Sequence, residues 1–418
     1  MSSKPAAAQG SYVTFQLSGY EIGEWKAPYH QDSLIYFSTD HLSIKENLED
    51  PTLEEWEQKT YTLEISASAL RERMDVLGFT LALAEEHFLT EVRSNWERLG
   101  TYDFMAAEIT APPDSIAHDL LMAAKATFSN SLPDREHWQE LTELVIENCT
   151  VEKPDRAHLS SAMNYLDFSV IARLAVENFE GIATLDLTDI VQSEWLLEAD
   201  LSNLNQSIDN QYLIITEGST DKAIISSALK KFKPHLVDLF YFADEALPIP
   251  QTGASRVLEL LKAFKSLKVI NNVIAVFDND AAGVEEYDIA VNVCEGAQNM
   301  EAIKLPDLDE LTQIVCEGPD GRHVTNINGR AASIEMYLDR PPLGRGEVET
   351  KWTSHLKRSG AWQGEPLNKR KIQQHFHRHH ADVSYNSVGI IAVLNEVISA
   401  ASRIGERKTR NALETEEN

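Results

Sequence analysis

With 418 residues, 43% of them hydrophobic and 25% charged, the chain has the composition of a globular protein large enough for more than one core. A formal net charge of −29 excludes a generally basic, nucleic-acid-attracting surface, so a nucleic-acid partner would have to meet a local basic patch or one supplied by another subunit. Cys149, Cys294 and Cys316 lie far apart with no CxxC spacing, which excludes a disulfide framework and a zinc ribbon and fits a reducing, cytoplasmic setting; no uninterrupted apolar run of membrane length occurs, and no membrane partner is expected.

Residues 1–10 lack the apolar stretch of a signal peptide and read as a flexible lead-in. Residues 11–65 read as a β-rich segment. Its strands are expected over 11–17, ending at the Ser18-Gly19 turn, and over 34–37 and 60–65, with an acidic loop from Glu46 to Glu57. Residues 66–205 read as a helical module. Leu70, Met74, Leu77, Leu81, Leu83, Phe88, Val92 and Trp96 keep helical spacing across two helices broken near Gly78. Further helices are expected over 116–128, 133–148 and 168–179, followed by a strand that starts at Ala183. Asp186 and Asp189 are expected to be solvated loop carboxylates, and no catalytic spacing stands out in the module.

From 206 to 345 strand and helix alternate: strands over 212–216, 236–242, 273–277 and 302–305, and helices over 220–232, 255–267 and 284–294, with Pro248 and Pro250 in a loop. This is the pattern of an α/β domain, a Rossmann-like parallel sheet flanked by helices on both faces. Residues 346–405 read as a basic, helical C-terminal extension. Lys357, Arg358, Lys369, Arg370, Lys371 and Arg378 are its candidates for tracking a phosphate backbone, and 389–404 forms an amphipathic helix. Residues 406–418 read as a disordered polar tail.

The chemistry concentrates at two strand ends. The run Tyr212 to Thr216 stops at Glu217-Gly218-Ser219-Thr220-Asp221, and the run Val273 to Phe277 stops at Asp278-Asn279-Asp280. Ligands bind outside the carboxyl ends of parallel strands, so adjacent ends would gather Glu217, Asp221, Asp278 and Asp280 in one crevice. Carboxylates that close need a cation, and Mg²⁺ or Mn²⁺ is the natural partner. Gly218 suits a tight reversal, Ser219 or Thr220 can cap the helix that follows, and Asp278 and Asp280 would share a side if the strand continued.

A Glu-Gly-x-x-Asp turn followed by an Asp-x-Asp strand end resembles the Toprim domain of topoisomerases, bacterial primases and the OLD-type (overcoming lysogenization defect) nucleases. The resemblance covers residues 207–340. It implies a two-metal site in which Glu335, in Ile334-Glu335-Met336-Tyr337-Leu338, joins Glu217, Asp221, Asp278 and Asp280 as a ligand. It also implies a lysine that balances transition-state charge, with Lys369 the first choice, Lys371 the second and Lys304 a rival. Glu217 is either a ligand or the general base. No GxxxxGK[S/T] loop occurs, so an ATPase or sensor, if used, would be a separate subunit. Ser11-Tyr12-Val13-Thr14-Phe15, Val76-Leu77-Gly78-Phe79-Thr80, Tyr165-Leu166-Asp167-Phe168 and Leu185-Asp186-Leu187-Thr188-Asp189 resemble the HEPN/Toprim-associated N-terminal domain. The arginine–histidine pair of HEPN ribonucleases is absent from 66–200, and Arg370 with His375 is too loose a match to stand for it. The expected function is a Mg²⁺-dependent DNA endonuclease of bacterial anti-phage defence, with a homo-oligomer among the expected assemblies. The alternatives are a ribonuclease acting on tRNA or other structured RNA, and a non-catalytic assembly subunit.

Overall fold

The computed structural model describes residues 11–26, 31–46, 59–100, 113–129, 143, 145–149, 163, 166–204, 208–243, 253–340 and 348–416. Residues 1–10, most of 46–57, nearly all of 133–148 and the stretch holding Pro248 and Pro250, where a lead-in, an acidic loop, a helix and a loop are expected, lie outside them. The chain divides into two compact units, Met1–Gln206 and Ser207–Asn418.

The first unit is built on an antiparallel sheet of five strands: β1 (Tyr12–Leu17), β2 (Tyr20–Lys26), β3 (Leu42–Glu46), β4 (Lys59–Ser66) and β5 (Ile182–Asp186), in the order β2-β1-β5-β4-β3. One face alternates into the core through Val13, Phe15, Leu17, Tyr61, Leu63, Ile65, Ala183 and Leu185. Because β5 pairs with both β1 and β4, the expected β-rich segment and helical module are one body. Helices α2 (Ala67–Val76), α3 (Leu81–Gly100), α4 (Pro113–Ser129), α5 (Phe168–Val176) and α6 (Thr188–Gln192) complete the described part, after a short helix α1 (Gln31–Leu34).

Residues 34–37 are not the strand their apolar character suggests. Tyr36 and Phe37 are buried after α1, and the Tyr36 carbonyl is taken by the fully buried Arg73, whose Nε donates to it at 2.7 Å. The apolar run marks a core insertion in which the Tyr36 carbonyl is satisfied by a side chain and the Phe37 amide closes a turn on the Leu34 carbonyl. Asp186 and Asp189 cap and brace: Asp186 Oδ1 accepts from the Thr188 amide and Asp189 Oδ2 from the Tyr12 amide.

The second unit holds a four-stranded parallel sheet of β6 (Tyr212–Ile215), β7 (Phe240–Phe242), β8 (Asn272–Phe277) and β10 (Met300–Lys304), in the order β10-β8-β6-β7. Every residue of β8 is buried, as a central strand covered on both faces requires. Around it stand α7 (Ser219–Phe232), α8 (Ala254–Leu267) and α9 (Ala281–Cys294). The strand expected over 236–242 shrinks to β7, because Pro234 starts a 3-10 turn over Pro234–Leu239.

A second sheet, β12-β11-β14-β15, joins β11 (Ile314–Gly318), β12 (Gly321–Thr325), β14 (Thr350–His355) and β15 (Trp362–Pro366). A two-residue pairing links β9 (Asn279–Asp280) to β13 (Ala331–Ala332). The basic extension therefore opens as a β-hairpin, and only Lys369–His379 (α10) and Val388–Glu416 (α11) are helical. The expected disordered tail is corrected as well, since α11 runs to Glu416. Arg407 Nη2 donates to the Met300 carbonyl at 3.1 Å, and Lys408 Nζ reaches the Asp209 carbonyl and Asn272 Oδ1 at 2.9 and 3.1 Å, so polar residues anchor that stretch. By length and hydropathy α11 could cross a membrane, yet half of that window is buried, with Ile390, Val393, Leu394, Val397 and Ile404 in the core.

Candidate active site

β6 and β8 are parallel neighbours, with Ile215 opposite Ala275, so their chains leave the sheet on the same side. The two acidic ends are joined directly: the Asp278 amide donates to Glu217 Oε1 at 2.9 Å. Gly218 starts α7 with no side-chain cap from Ser219 or Thr220. Asp221 turns back instead, its Oδ2 accepting the Gly218 amide at 2.9 Å. Glu217, Asp221 and Asp278 line one small crevice with Thr216, Ile225, Leu305 and Ile334.

The strand does not continue through the second motif. β8 ends at Phe277, Asp278 is free of it, and Asn279-Asp280 pairs with β13. Asp280 caps α9, its Oδ1 accepting the Gly283 amide at 2.7 Å. Gly283 serves close approach, since a side chain there would run into the Asp278 carbonyl. Asn279 is fully buried and faces away from the acids, toward Asp307, Tyr337 and Lys304. Lys304 donates to Asp307 at 2.8 Å and to Asn279, so it is committed elsewhere.

Glu335 sits in a 3-10 turn, Ile334–Tyr337, and is only 4% exposed. Ser333 Oγ and Gln373 Nε2 donate to its two oxygens at 2.7 and 2.9 Å. The Ile334 amide donates to Asp278 Oδ1 at 3.2 Å, which brings this turn against the strand ends.

The electrostatics show the convergence. Burial is the main cause that holds Asp278 well above the usual carboxylate range, and the charges of Glu217, Asp221, Asp280 and Glu335 all add to it. Burial likewise pushes Glu217 up to about 8, with Asp280 and Asp221 adding and the Asp278 amide and Lys369 opposing. Lys369, the first residue of α10, is thus the lysine whose charge reaches the crevice. Lys371 is exposed and lines a separate cleft with Met336, Arg340, Glu349 and Ile372. Arg370 and Arg378 lie exposed on α10, and Lys357 and Arg358 lie in the β14–β15 turn.

The acids fit a hard divalent cation by donor type. Glu217 Oε2 and Asp278 Oδ2 accept no hydrogen bond from a described residue, while their partner oxygens are fixed by amides. Among the described residues no three acidic, histidine or cysteine side chains form a ready-made metal cage. Two of the acids are instead held by glutamines that the sequence did not single out. Gln363 of β15 donates Nε2 to Asp280 Oδ2 at 2.6 Å and accepts the Ala282 amide at 2.9 Å, and Gln373 holds Glu335. A glutamine in a basic stretch carries no signal of its own, and only the hairpin's return to α9 brings Gln363 to the site.

Residues 9–209 match the family model of the HEPN/Toprim N-terminal domain 1. The first unit is thus similar to a Toprim-associated N-terminal domain. No curated protein and no solved structure matches the chain.

Proposed function

We propose that the second unit is a Toprim-type, OLD-like site that hydrolyses phosphodiester bonds with divalent metal ions, with DNA as its first substrate. The observation that carries this reading is the convergence of Glu217, Asp221, Asp280 and Glu335 on the buried Asp278, an arrangement of like charge that calls for a counter-cation. Glu217, Asp221, Asp278, Asp280 and Glu335 would hold two Mg²⁺ or Mn²⁺ ions. Bound there, the metal would supply Lewis acidity toward phosphoryl oxygens and make a bound water more acidic than bulk water.

The chain's own residues divide the remaining work. Asp278 and Glu217 are fixed relative to each other through one backbone amide. Glu217 Oε2, which accepts no hydrogen bond from a described residue, would either hold metal or take a proton from an attacking water. Lys369 is placed to offset negative charge that develops on the phosphoryl group. Arg370, Lys371 and Arg378 on α10, with Lys357 and Arg358, offer the local positive surface that a chain of net charge −29 otherwise lacks.

The match of the first unit to the HEPN/Toprim N-terminal domain supports a place in bacterial antiviral defence, because stand-alone Toprim chains with such modules resemble defence components. A separate ATPase or sensor, a homo-oligomer and a cytoplasmic location belong to the same proposal. The net charge favours one other reading, a non-catalytic subunit whose acidic surface docks a basic partner.

Supercoiled plasmid and total tRNA, each incubated with Mg²⁺ or Mn²⁺ and with wild type or Asp278→Ala, separate these readings. Cleavage of plasmid that the variant lacks is the expected outcome. Cleavage of tRNA alone moves the substrate to RNA, and no cleavage of either leaves the assembly subunit.

A further inference from the structure

Residues 357–373 pass the acids in chain order. Lys357 and Arg358 lie in the hairpin turn, Gln363 holds Asp280, Lys369 acts on Glu217, and Gln373 holds Glu335. Immediately before Gln363 stands Trp362, 43% exposed, with the His355 ring across the strand pair at 5.4 Å and nearly perpendicular to it. His355, Lys357 and Arg358 are exposed, and the two cations have no ion-pair partner among the described residues.

We propose that this hairpin is a stacking platform for an unpaired nucleotide. Trp362 and His355 take the base, and Lys357 and Arg358 take the adjoining phosphates. The proposal rests on the phosphodiester-hydrolysis reading and narrows its substrate to single-stranded or unpaired regions of DNA or RNA. Three features of the hairpin point there. An indole half open to solvent leaves much of its apolar area unburied, and every base has a π-face that can cover it. Lys357 and Arg358 in the turn carry positive charge that a phosphate backbone can meet, beside the Glu285 carboxylate that holds the Ser359 amide. The hairpin is also pinned to the acid cluster: the Ser359 amide donates to Glu285 Oε1 on α9 at 2.8 Å, and Gln363 bridges Asp280 and the Ala282 amide. Trp362 and Gln363 are consecutive in β15 and take opposite faces of the hairpin, so a nucleotide stacked on Trp362 lies across the strand from the contact with Asp280. In a duplex both base faces are already stacked, so the platform selects nucleotides that are not.

Fluorescence anisotropy with labelled oligothymidylate, oligouridylate and a duplex of mixed sequence, in EDTA to prevent turnover, tests this on the full chain. Single strands are expected to bind more tightly than the duplex, and the preferred strand names the sugar. Trp362→Ala is expected to weaken single-strand binding by about 5–150-fold while Trp362→Phe retains most of it, a range that follows from the roughly 1–3 kcal/mol of one stacked base. Lys357→Gln with Arg358→Gln is expected to flatten the salt dependence. Unchanged single-strand affinity in Trp362→Ala overturns the platform, as does equal loss in the Ala and Phe variants with a lowered melting temperature. If plasmid or tRNA cleavage persists in that case, the hydrolysis reading stands without the platform. If neither strand nor duplex binds and nothing is cut, both fall.

Discussion

A side chain that no motif contains decides how the candidate site is held together. Gln363 uses both ends of its carboxamide, one on Asp280 and one on the start of α9, and Gln373 does the same service for Glu335 with Ser333. Partners of this kind fix the orientation of metal-binding carboxylates and tune metal affinity. Gln363→Leu is therefore expected to lower Mn²⁺ affinity by about 10–100-fold, the usual scale for such partners. Calorimetric titration of the metal checks this without any substrate, and an affinity equal to wild type would show that Asp280 needs no support. Four of the acids could be singled out in the sequence because they follow two apolar strand runs, whereas Glu335 entered only through the family resemblance. The sequence left the amide donors invisible because a glutamine's role depends entirely on what the fold sets in front of it.

At the scale of elements, the parallel sheet and its helices were readable from the apolar runs 212–216 and 273–277, since a strand covered on both faces cannot hide its composition. The β14–β15 hairpin was not, because Thr350–His355 and Trp362–Pro366 mix charge with aromatics on an exposed edge. The Tyr165-Leu166-Asp167-Phe168 signature now has a structural account. The Trp25 indole donates to the Leu166 carbonyl, the Asp167 amide starts α5 against Glu91 Oε2 of α3, and the Phe168 ring packs edge-on against Phe15 and Trp25. Burial, aided by the charge of Asp167, pushes Glu91 up to about 8. A carboxyl raised in the folded state binds its proton more tightly there than in the unfolded chain. Its contribution to stability is thus complete below the unfolded value of 4.5 and is lost as pH rises through about 8. Glu91→Gln keeps an acceptor for the Asp167 amide and does not titrate. The melting temperature of wild type minus that of Glu91→Gln is expected to fall between about pH 5 and pH 9. A difference that stays flat across that range would mean the α3–α5 junction does not couple to protons.

For the molecule as a whole, two compact units each carry their own buried set, one around Phe15, Leu63 and Leu185 and the other around Ile215, Val273 and Leu261. Each is expected to fold when produced alone, as residues 11–206 and 207–418, with cooperative melting by circular dichroism; a fragment that melts without cooperativity would show that its core is incomplete. The match to a Toprim-associated N-terminal domain ends where the first unit ends, so the fragment carrying residues 207–418 isolates the acids from it. Asp280 has a bearing on how such chains diverge. It is a candidate ligand, but it also caps α9 and receives the Gln363 tether, so a descendant that abandoned the chemistry would still have reason to keep it. Asp221, which closes the turn at Gly218, is in the same position. Decay of activity in a lineage would register first at Glu217 and Asp278, whose burial costs stability once no cation is there to balance it.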